Sequence, residues 1–357
     1  MSRYSPWAQR LDGIRRADRW RRLRTVIPTG PTTAWLEGRE VVVACSNDYL
    51  GLALDPRVQR AARGAGATSS RLISGDRPIH RALEERLEAW LGRPALVFSS
   101  GFLANLAVFS TVCAPGDRIA SDAYNHASII DGLRLSRAER TIVPHADPRA
   151  VPEDARLIVL EGLYSMDGDT PPLRDYPTAP WLAIDEAHAV GVLGPGGRGA
   201  AAAAGVQPDI LIGTFGKAFG AGGAFVVGPP ELKELLINAG RSFIFTTALP
   251  EPVAAMALAG LQAATDELRQ RTRANVRRLR GGLRQLGWSP LGHDHIVPVV
   301  AGPRTLALAD RLLSAGVFAP PIRYPTVARG QERLRFTVSA AHTPEQLDRI
   351  CDALGAA

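Results

Sequence analysis

Lysine is almost absent from this chain of 357 residues, and one of its two lysines stands in a setting that suits chemistry. Lys217 closes the glycine-containing segment 213–217 with no other charge beside it, whereas Lys233 lies between glutamates in a polar stretch. A lysine amine can lose its proton and act as a nucleophile, which an arginine guanidinium in a protein cannot do. Lys217 is therefore the first candidate for a catalytic residue.

A carboxylate and an imidazole follow the apolar run Trp181–Ile184. Asp185 comes directly after this run, and His188 stands three residues further on. Side chains at the carboxyl end of a buried parallel strand face the crevice in which α/β proteins bind their ligands. Nucleotide-driven helicases carry the same four letters, Asp-Glu-Ala-His, but they also need a phosphate loop of the form GxxxxGK[ST], which this sequence lacks. Asp185 and His188 are thus candidates for ligand binding.

The segment Ser99–Asn105 supplies a third feature, because it follows an apolar run and opens a predicted helix. Unpaired N–H groups and the helix dipole make such a start suitable for a phosphate, although an ordinary N-cap is the commoner explanation. Pyridoxal 5'-phosphate (PLP) requires an amine for its aldehyde, a carboxylate to keep its pyridine nitrogen protonated, and N–H donors for its phosphate. The joint pattern of Lys217, Asp185, His188 and this helix start predicts a PLP site.

Near-continuous apolar runs, separated by helical stretches, indicate the elements that must position these residues. Runs at 156–160, 181–184 and 209–212 are typical of strands buried on both faces of a mostly parallel sheet flanked by helices. The sequence therefore predicts an α/β protein. The other predicted elements are strands at 41–44, 95–98, 296–300, 317–322 and 333–338, and helices at 6–24, 79–91, 102–112, 252–286, 304–315 and from 344 onward.

The order of these elements predicts three parts of the chain. An N-terminal arm with a helix and short strands occupies 1–44, and a large PLP-binding domain occupies 45–265. A smaller C-terminal domain at 266–357 mixes helices and strands and is of the α+β type.

The charge of the chain does not by itself indicate a nucleic-acid partner. Its net charge is +7, and arginines cluster at 15–24 and 268–284. Neither cluster contains a recognisable nucleic-acid-binding motif, so both read as solvated helix faces, with an anionic small ligand as the alternative for the first. We expect no nucleic-acid partner.

Composition and cysteine use indicate a globular protein of a reducing compartment. Apolar residues make up 46% and charged residues 22% of the chain. The longest uncharged apolar stretch, near 252–265, is too short to span a bilayer. The scattered cysteines argue against a zinc site or a disulfide framework. We expect a cytoplasmic protein without a metal or membrane partner; the cysteines are Cys45, Cys113 and Cys351.

Several segments carry recognisable motifs: Ser46–Leu52, Gly64–Gly75, Ser121–Ser128, Glu161–Asp169, Asp185–His188, Thr214–Lys217 and Arg333–Thr337. Together they resemble the α-oxoamine synthase family of fold-type I PLP-dependent enzymes, which are similar to class II aminotransferases. The resemblance extends over essentially the whole chain. It implies a large domain with a mostly parallel central sheet flanked by helices, a smaller C-terminal α+β domain, and a homodimer with its active site between the subunits.

The resemblance also implies a PLP-dependent, decarboxylating acyl transfer. Within the family the chain is most similar to members that condense L-alanine with a pimeloyl thioester, carried by coenzyme A (pimeloyl-CoA) or by acyl carrier protein (pimeloyl-ACP). It departs from them at Tyr324, within 322–326, where a proline is usual, so acyl specificity is the open point. A glycine C-acetyltransferase or another family member, a PLP aminotransferase and a non-catalytic binding protein are the alternatives.

Individual positions take their roles from the same resemblance. Lys217 would bind the PLP aldehyde as a Schiff base and later remove the Cα proton of the substrate. Asp185 would contact the pyridine nitrogen, and His126 would stack on the ring and assist at the thioester. The implied catalytic residues are therefore Lys217, His126, Asp185 and His188. The other implied contacts are with the ring oxygen (His188, Ser165), the phosphate (Gly101, Phe102, Thr214, and Thr246 or Thr247 of the other subunit), the amino-acid carboxylate (Arg335, with Asn47 nearby) and the acyl group (Arg21, Arg323, Thr326).

The other histidines have no role in this interpretation. His293 and His295 precede a predicted strand and read as a surface turn, because no third ligand stands nearby to complete a metal site. The histidines left unassigned are His80, His145 and His342.

Overall fold

The computed structural model describes residues 3–355, which form three sheets and the α-helices that surround them. The strands are β1 Val26–Gly30, β2 Thr33–Leu36, β3 Arg39–Val43, β4 Ala95–Phe98, β5 Arg118–Asp122, β6 Glu139–Val143, β7 Leu157–Glu161, β8 Trp181–Asp185, β9 Ile210–Thr214, β10 Ala224–Val227, β11 Ile296–Val300, β12 Val317–Phe318, β13 Pro321–Ile322 and β14 Arg333–Thr337. The helices are α1 Ser5–Arg16, α2 Pro56–Arg60, α3 Pro78–Leu91, α4 Gly101–Phe109, α5 Ala127–Ser136, α6 Ala200–Ala204, α7 Pro230–Ala239, α8 Arg241–Ile244, α9 Glu251–Ala263, α10 Asp266–Gln285, α11 Thr305–Ser314 and α12 Pro344–Gly355.

A seven-stranded sheet occupies the middle of the fold, in the order β4-β10-β9-β8-β7-β5-β6. Strands β9, β8, β7, β5 and β6 run parallel to one another, and β10 runs antiparallel to both of its neighbours. Every residue of β4, β7 and β10 is buried, as expected for strands covered by helices on both faces. The mostly parallel sheet predicted from the apolar runs is confirmed.

The carboxyl ends of β7, β8 and β9 bring several site residues to one edge of this sheet. Glu161 at the end of β7 pairs in register with Asp185 at the end of β8, and Asp185 pairs in turn with Ile212 of β9. Lys217 follows the end of β9 by three residues. Because parallel strands all end at the same edge, residues far apart in the sequence become neighbours here.

Two smaller sheets join the beginning of the chain to its last third. Strands β1, β2 and β3 form a meander, and β12 adds to it in parallel with β3, so that Val42 lies opposite Val317. The other small sheet has the order β11-β14-β13. One core cluster contains Ala44 together with Val297 and Phe336. The arm therefore packs on the C-terminal part, and the domain limits placed after 44 and after 265 stay predictions.

The long helix predicted over 252–286 is wrong, because the structure has two helices, α9 and α10, separated by Ala264 and Thr265. The hydroxyl of Thr265 accepts the N–H of Leu268 at 3.4 Å, so this threonine caps α10 and starts a new helix. None of the helices within residues 3–355 combines the length and the apolar character needed to cross a bilayer.

The N-terminal helix is shorter than predicted, since α1 ends at Arg16 and not near residue 24. No residue of α1 is buried, so no tertiary packing extends the helix beyond its first turns. The backbone then enters the left-handed region at Asp18, with a φ of 51°, and a helix cannot continue through that conformation.

We expect Gly260→Ala to lower the free energy of unfolding by about 1–3 kcal/mol, although alanine normally stabilises a helix by up to about 1 kcal/mol relative to glycine. Gly260 lies in α9, and a Cβ there would overlap the backbone oxygen of Phe219, in the turn that carries Lys217. Gly281→Ala in α10 is the matched control, because nothing lies within 4 Å of its Cβ position. Urea unfolding of both variants measures the difference, and equal effects would contradict this packing.

Candidate active site

One threonine side chain fixes the turn that carries Lys217. The hydroxyl of Thr214 accepts the N–H of Gly216 at 3.1 Å and donates to the carbonyl of Gly223 at 2.9 Å. The turn is thereby held against the start of β10, and Lys217 follows directly in a half-buried position. The lysine thus projects from a fixed backbone at the end of the sheet.

The surroundings of Lys217 favour the unprotonated amine. Burial lowers its pKa to about 8; the carboxylates of Asp185 and Glu161 oppose this shift, and the positive charge of Arg335 adds to it. Among residues 3–355 no carboxylate forms an ion pair with Lys217, whereas Lys233 pairs with two glutamates. Both lysines are half-buried, but they differ in their charge environment.

We expect the two lysines to differ in reactivity when the protein is freed of PLP. A small amine-acylating reagent should modify Lys217 faster than Lys233, at a rate that rises through about pH 8, because only the unprotonated amine is a nucleophile. Mass spectrometry of the two lysine peptides, from neutral to alkaline pH, measures both rates in one sample. Equal rates, or a midpoint for Lys217 near the ordinary lysine value of 10.5, would contradict this environment.

Asp185 ends β8 in a buried position with donors on both carboxylate oxygens. Its Oδ2 accepts from Nδ2 of Asn105 at 2.8 Å, and its Oδ1 accepts from the N–H of Ala187 at 3.0 Å. On the next strand, burial raises the pKa of Glu161 well above its ordinary value, and the charge of Asp185 adds to this effect. The carboxylate of Asp185, held by these two donors, is a suitable partner for a protonated ring nitrogen.

A chain of hydrogen bonds connects His188 to Arg335. Nδ1 of His188 lies 2.7 Å from the hydroxyl of Tyr49, which lies 3.0 Å from Oδ1 of Asn47. The same Asn47 oxygen accepts from both terminal nitrogens of Arg335, at 3.4 and 3.5 Å. Burial lowers the pKa of His188 well below its ordinary value, and Lys217 and Arg335 lower it further, so the ring is neutral. No local sequence pattern singled out Tyr49, the buried residue that joins the others.

His295 is buried, so its interpretation as part of a surface turn is wrong. Its Nε2 lies 2.9 Å from the backbone oxygen of His188, and its ring meets that of Tyr49 edge-on, with centroids 4.1 Å apart. Burial lowers the pKa of His295 to about 3, which keeps the ring neutral. His295 is buried because it directly precedes β11 and its ring packs against Tyr49. His293, two residues earlier, is exposed.

His126 precedes α5 and caps it. Its Nδ1 lies 2.7 Å from the hydroxyl of Ser128 and 3.3 Å from the backbone nitrogen of Ser128, whose N–H it accepts. The backbone N–H of His126 faces the carboxyl group of Glu161. Partial burial lowers the pKa of His126; Asp185 opposes this shift and Lys217 adds to it. The residue as a whole is exposed, which leaves ring surface free for a ligand.

Two arginines of β14 differ in their partners. Arg333 forms an ion pair with Asp167 at 2.7 Å. Arg335, two residues along and on the same face of the strand, donates to neutral oxygens, among them the backbone oxygen of Ser165 and Oδ1 of Asn47. Within the described range 3–355, no carboxylate pairs with Arg335. Its charge is therefore available to a ligand carboxylate.

The start of α4 has the features of a phosphate site. Ser100 caps the helix by accepting a backbone N–H at 3.3 Å, and a Cβ at Gly101 would meet open space. Ser99 donates to the backbone oxygen of Thr247 at 3.1 Å, which places Thr247 beside this helix start in its own chain. All the predicted cofactor contacts stay predictions; besides those of Lys217, Asp185, His188 and His126, they are the contacts of Gly101, Phe102, Ser165, Thr214, Thr246 and Thr247.

The residues assigned to the acyl group lie outside this hydrogen-bonded cluster. Arg323 forms an ion pair with Asp18 at 2.8 Å, and Arg21 and Thr326 are exposed. In the part of the chain that the structure describes, no hydrogen bond or ion pair joins any of these three to Lys217 or Arg335. The described structure thus shows no direct polar contact between them and the site, and their contact with the acyl group stays a prediction.

The residues gathered at this edge of the sheet fit PLP. They include an amine of lowered pKa, a carboxylate held by two donors, a neutral imidazole and a helix start in open space. The chemistry of this donor set matches an aldehyde, a protonated pyridine, a ring oxygen and a phosphate. Among residues 3–355, no group of three or more His, Cys, Asp or Glu side chains could hold a metal ion.

Comparisons with known proteins define the class to which this site belongs. A family model for aminotransferases of class I and II matches residues 39–354, so the chain belongs to that family. Its fold is that of the fold-type I PLP-dependent enzymes. A serine palmitoyltransferase of S. paucimobilis, solved with a bound PLP–myriocin aldimine, is 30% identical with a TM-score of 0.92, over 100% of this chain and 98% of that one. The family resemblance predicted from the motifs is confirmed.

A more particular similarity is to 8-amino-7-oxononanoate synthases. The enzyme so named from Anaeromyxobacter sp. (strain K) is 44% identical over 362 residues, which are 93% of this chain and 91% of that protein. The solved 8-amino-7-oxononanoate synthase of Francisella tularensis is 28% identical with a TM-score of 0.77, over 88% of this chain and 97% of that one. Both similarities extend over most of each chain.

Proposed function

We propose that the protein uses PLP to condense L-alanine with a pimeloyl thioester, giving 8-amino-7-oxononanoate, CO2 and the free carrier. The carrier is coenzyme A or acyl carrier protein. The relatives of that name support this proposal, and one structural observation carries it. Arg335 has no carboxylate partner within residues 3–355, yet it lies close enough to Lys217 to lower the pKa of the amine. A cation for the amino-acid carboxylate and an amine for the reacting carbon thus share one site.

Arg335 would bind the carboxylate of L-alanine. A guanidinium forms two parallel N–H···O bonds with a carboxylate, which fixes its orientation as well as its position. The backbone oxygen of Ser165 holds Nε, and Asn47 contacts the terminal nitrogens, so the fork is already oriented. The carboxylate would displace the long contacts to Asn47, which are the weaker of these bonds.

Lys217 would move the proton at Cα of the amino acid. PLP, when bound, supplies an electron sink for the negative charge that develops at that carbon. A base with a pKa of about 8 suits this step, because the ideal catalytic pKa lies near the working pH. Asp185 would hold the proton on the pyridine nitrogen, and Asn105 keeps that carboxylate in place.

The bond changes balance with no added reagent except one proton, which the departing thiolate of the carrier takes up from solvent. Cα of alanine forms a carbon–carbon bond with the thioester carbonyl carbon, and the carbon–sulfur bond breaks to release the carrier thiol. The bond from Cα to its carboxylate then breaks, CO2 leaves, and Lys217 returns a proton to Cα. His126 would donate a hydrogen bond to the carbonyl oxygen of the thioester and stabilise the charge that develops there.

A homodimer in the cytoplasm is part of this proposal. Ile73 and Phe245 expose 81% and 71% of their surface, and the second of them adjoins Thr246. Because large apolar side chains are seldom left in water, these two residues support the proposal that a second subunit covers them. Thr246 or Thr247 would then reach the phosphate in the partner's site, while Arg21, Arg323 and Thr326 would contact the acyl chain.

The decisive experiment supplies the PLP-loaded protein with L-alanine and either pimeloyl-CoA or pimeloyl-ACP, and identifies the product by mass. We expect 8-amino-7-oxononanoate from at least one carrier. Glycine with acetyl-CoA tests the glycine C-acetyltransferase alternative, and a keto acid without a thioester tests the aminotransferase. Turnover confined to either of these mixtures would overturn the proposal.

A further inference from the structure

Asn105 joins two parts of the site that belong to different strands and helices. Its Nδ2 lies 2.8 Å from Oδ2 of Asp185 and 2.8 Å from the hydroxyl of Ser128. Ser128 in turn lies 2.7 Å from Nδ1 of His126. Helix α5 comes this close to α4 because Gly132 has no side chain; a Cβ there would lie 2.8 Å from the backbone oxygen of Asn105.

The carboxylate of Asp185 decides which way the Asn105 amide points. A carboxylate only accepts hydrogen bonds, so the NH2 group must face it. The reversed amide would place two acceptor oxygens against each other at the same 2.8 Å. In the observed orientation Oδ1 of Asn105 is buried without a partner in the described structure, and the two bonds donated by Nδ2 compensate for that cost.

The single proton of the Ser128 hydroxyl then has one destination. Nδ2 of Asn105 donates one proton to Asp185 and the other to Ser128, so the serine oxygen acts as an acceptor. Nδ1 of His126 accepts the backbone N–H of Ser128 at 3.3 Å, and the serine hydroxyl, 2.7 Å away, is then the second donor to this nitrogen. A ring nitrogen that accepts from two donors carries no proton itself.

We propose that Asn105 and Ser128 are positioning residues that hold His126 as the neutral tautomer with its proton on Nε2. The nitrogen directed away from Ser128 is then a hydrogen-bond donor, and its state is set by the carboxylate of Asp185 through two intervening side chains. The tautomer follows from the hydrogen bonds alone. The role of this Nε2–H group as a hydrogen-bond donor to the thioester carbonyl oxygen rests on the proposed function.

The charges that face His126 are compatible with a neutral ring. Asp185 ends β8 and Glu161 ends β7, while Lys217 follows β9. Burial and Lys217 lower the pKa of His126, and Asp185 acts in the opposite direction. Because the hydroxyl of Ser128 donates to the unprotonated Nδ1, this bond also favours the neutral form.

Nitrogen NMR of the PLP-loaded protein labelled with 15N-histidine tests the proposal directly. His126→Gln identifies the His126 signals, which in the wild type should show a protonated Nε2 and an unprotonated Nδ1 at mildly alkaline pH. Ser128→Ala should produce a mixture of both tautomers and raise the pKa of His126 by about half to one pH unit, since one hydrogen bond to the neutral form is lost. The acid limb of kcat/KM should move by the same amount.

Ser136→Ala is the matched control, because Ser136 is also buried on α5 but donates to the backbone oxygen of Leu133. It should leave the His126 signals unchanged. Asn105→Ala should give the same tautomer mixture as Ser128→Ala. If Asn105→Ala does not fold, the comparison of Ser128→Ala with Ser136→Ala tests the proposal by itself. A wild-type ring protonated on Nδ1, an unchanged tautomer in Ser128→Ala, or an equal change in Ser136→Ala would overturn the proposal.

The NMR measurement of the tautomer and the assay for the product can fail independently of each other. If His126 carries its proton on Nε2 but no 8-amino-7-oxononanoate forms, the proposed function fails and the positioning roles of Asn105 and Ser128 stand. If the product forms but the ring is the other tautomer, the positioning roles fail and the function stands.

Discussion

Lys217→Ala is expected to lower kcat by at least about 10⁴-fold, the upper end of what one general base contributes, because the same amine also has to bind the PLP aldehyde. Both roles depend on an amine whose pKa burial lowers to about 8. Steady-state product formation measures the loss. Added PLP should not restore activity, since the variant lacks the base and not only the cofactor.

Lys233→Ala is the control for this prediction, because it removes the other lysine, a half-buried residue that pairs with Glu88 and with the buried Glu84. These ion pairs join α7 to α3 and include no residue assigned to the reaction, so this variant should keep the wild-type kcat even if its stability is lower. Borohydride treatment of the holoenzyme followed by peptide mapping should place the pyridoxyl group on Lys217. A label on the Lys233 peptide, or wild-type turnover by Lys217→Ala, would refute the assignment.

Arg335→Ala is expected to raise the KM for L-alanine by about 30- to 4,000-fold, the range that corresponds to about 2–5 kcal/mol for losing one partner of a buried charge pair. The charge of Arg335 has no carboxylate partner among residues 3–355, so the alanine carboxylate would become its counter-ion. The KM for the thioester should change much less, because that substrate does not contact this guanidinium in the proposed reaction.

Arg335→Lys separates charge from geometry, since lysine keeps the positive charge but cannot form two parallel bonds. We expect an intermediate KM for L-alanine in this variant. Saturation curves for both substrates measure the effect. An Arg335→Ala enzyme that loses kcat at saturating alanine while its KM for alanine stays the same would show that Arg335 does not bind the carboxylate.

The sequence predicts those parts of this protein that depend on local signals. The strands that correspond to β7, β8 and β9 follow from apolar runs of four or five residues, and Lys217 stands out because it is one of only two lysines. Asp185 is recognisable because it ends such a run. The family motifs add roles for His126 and Arg335, which no local pattern could supply.

The contacts that connect these residues could not be predicted, because they join distant segments. Tyr49 meets His188 across 139 positions, and Asn105 meets Asp185 across 80. His295 looked like part of a turn, since the short H-x-H pattern holds no information about the ring of Tyr49 that covers it. The end of α1 was misplaced because polar, arginine-rich sequence continues past Arg16, whereas the helix, none of whose residues is buried, ends there.

The small sheet in which β12 completes β1, β2 and β3 has a consequence for synthesis on the ribosome. Strand β3 emerges early, whereas its parallel neighbour β12 is made only after the whole central sheet. Until then one edge of β3 exposes unpaired backbone groups, a condition that promotes aggregation of nascent chains. Recombinant production should therefore give more native protein when chaperones are abundant or translation is slowed by low temperature.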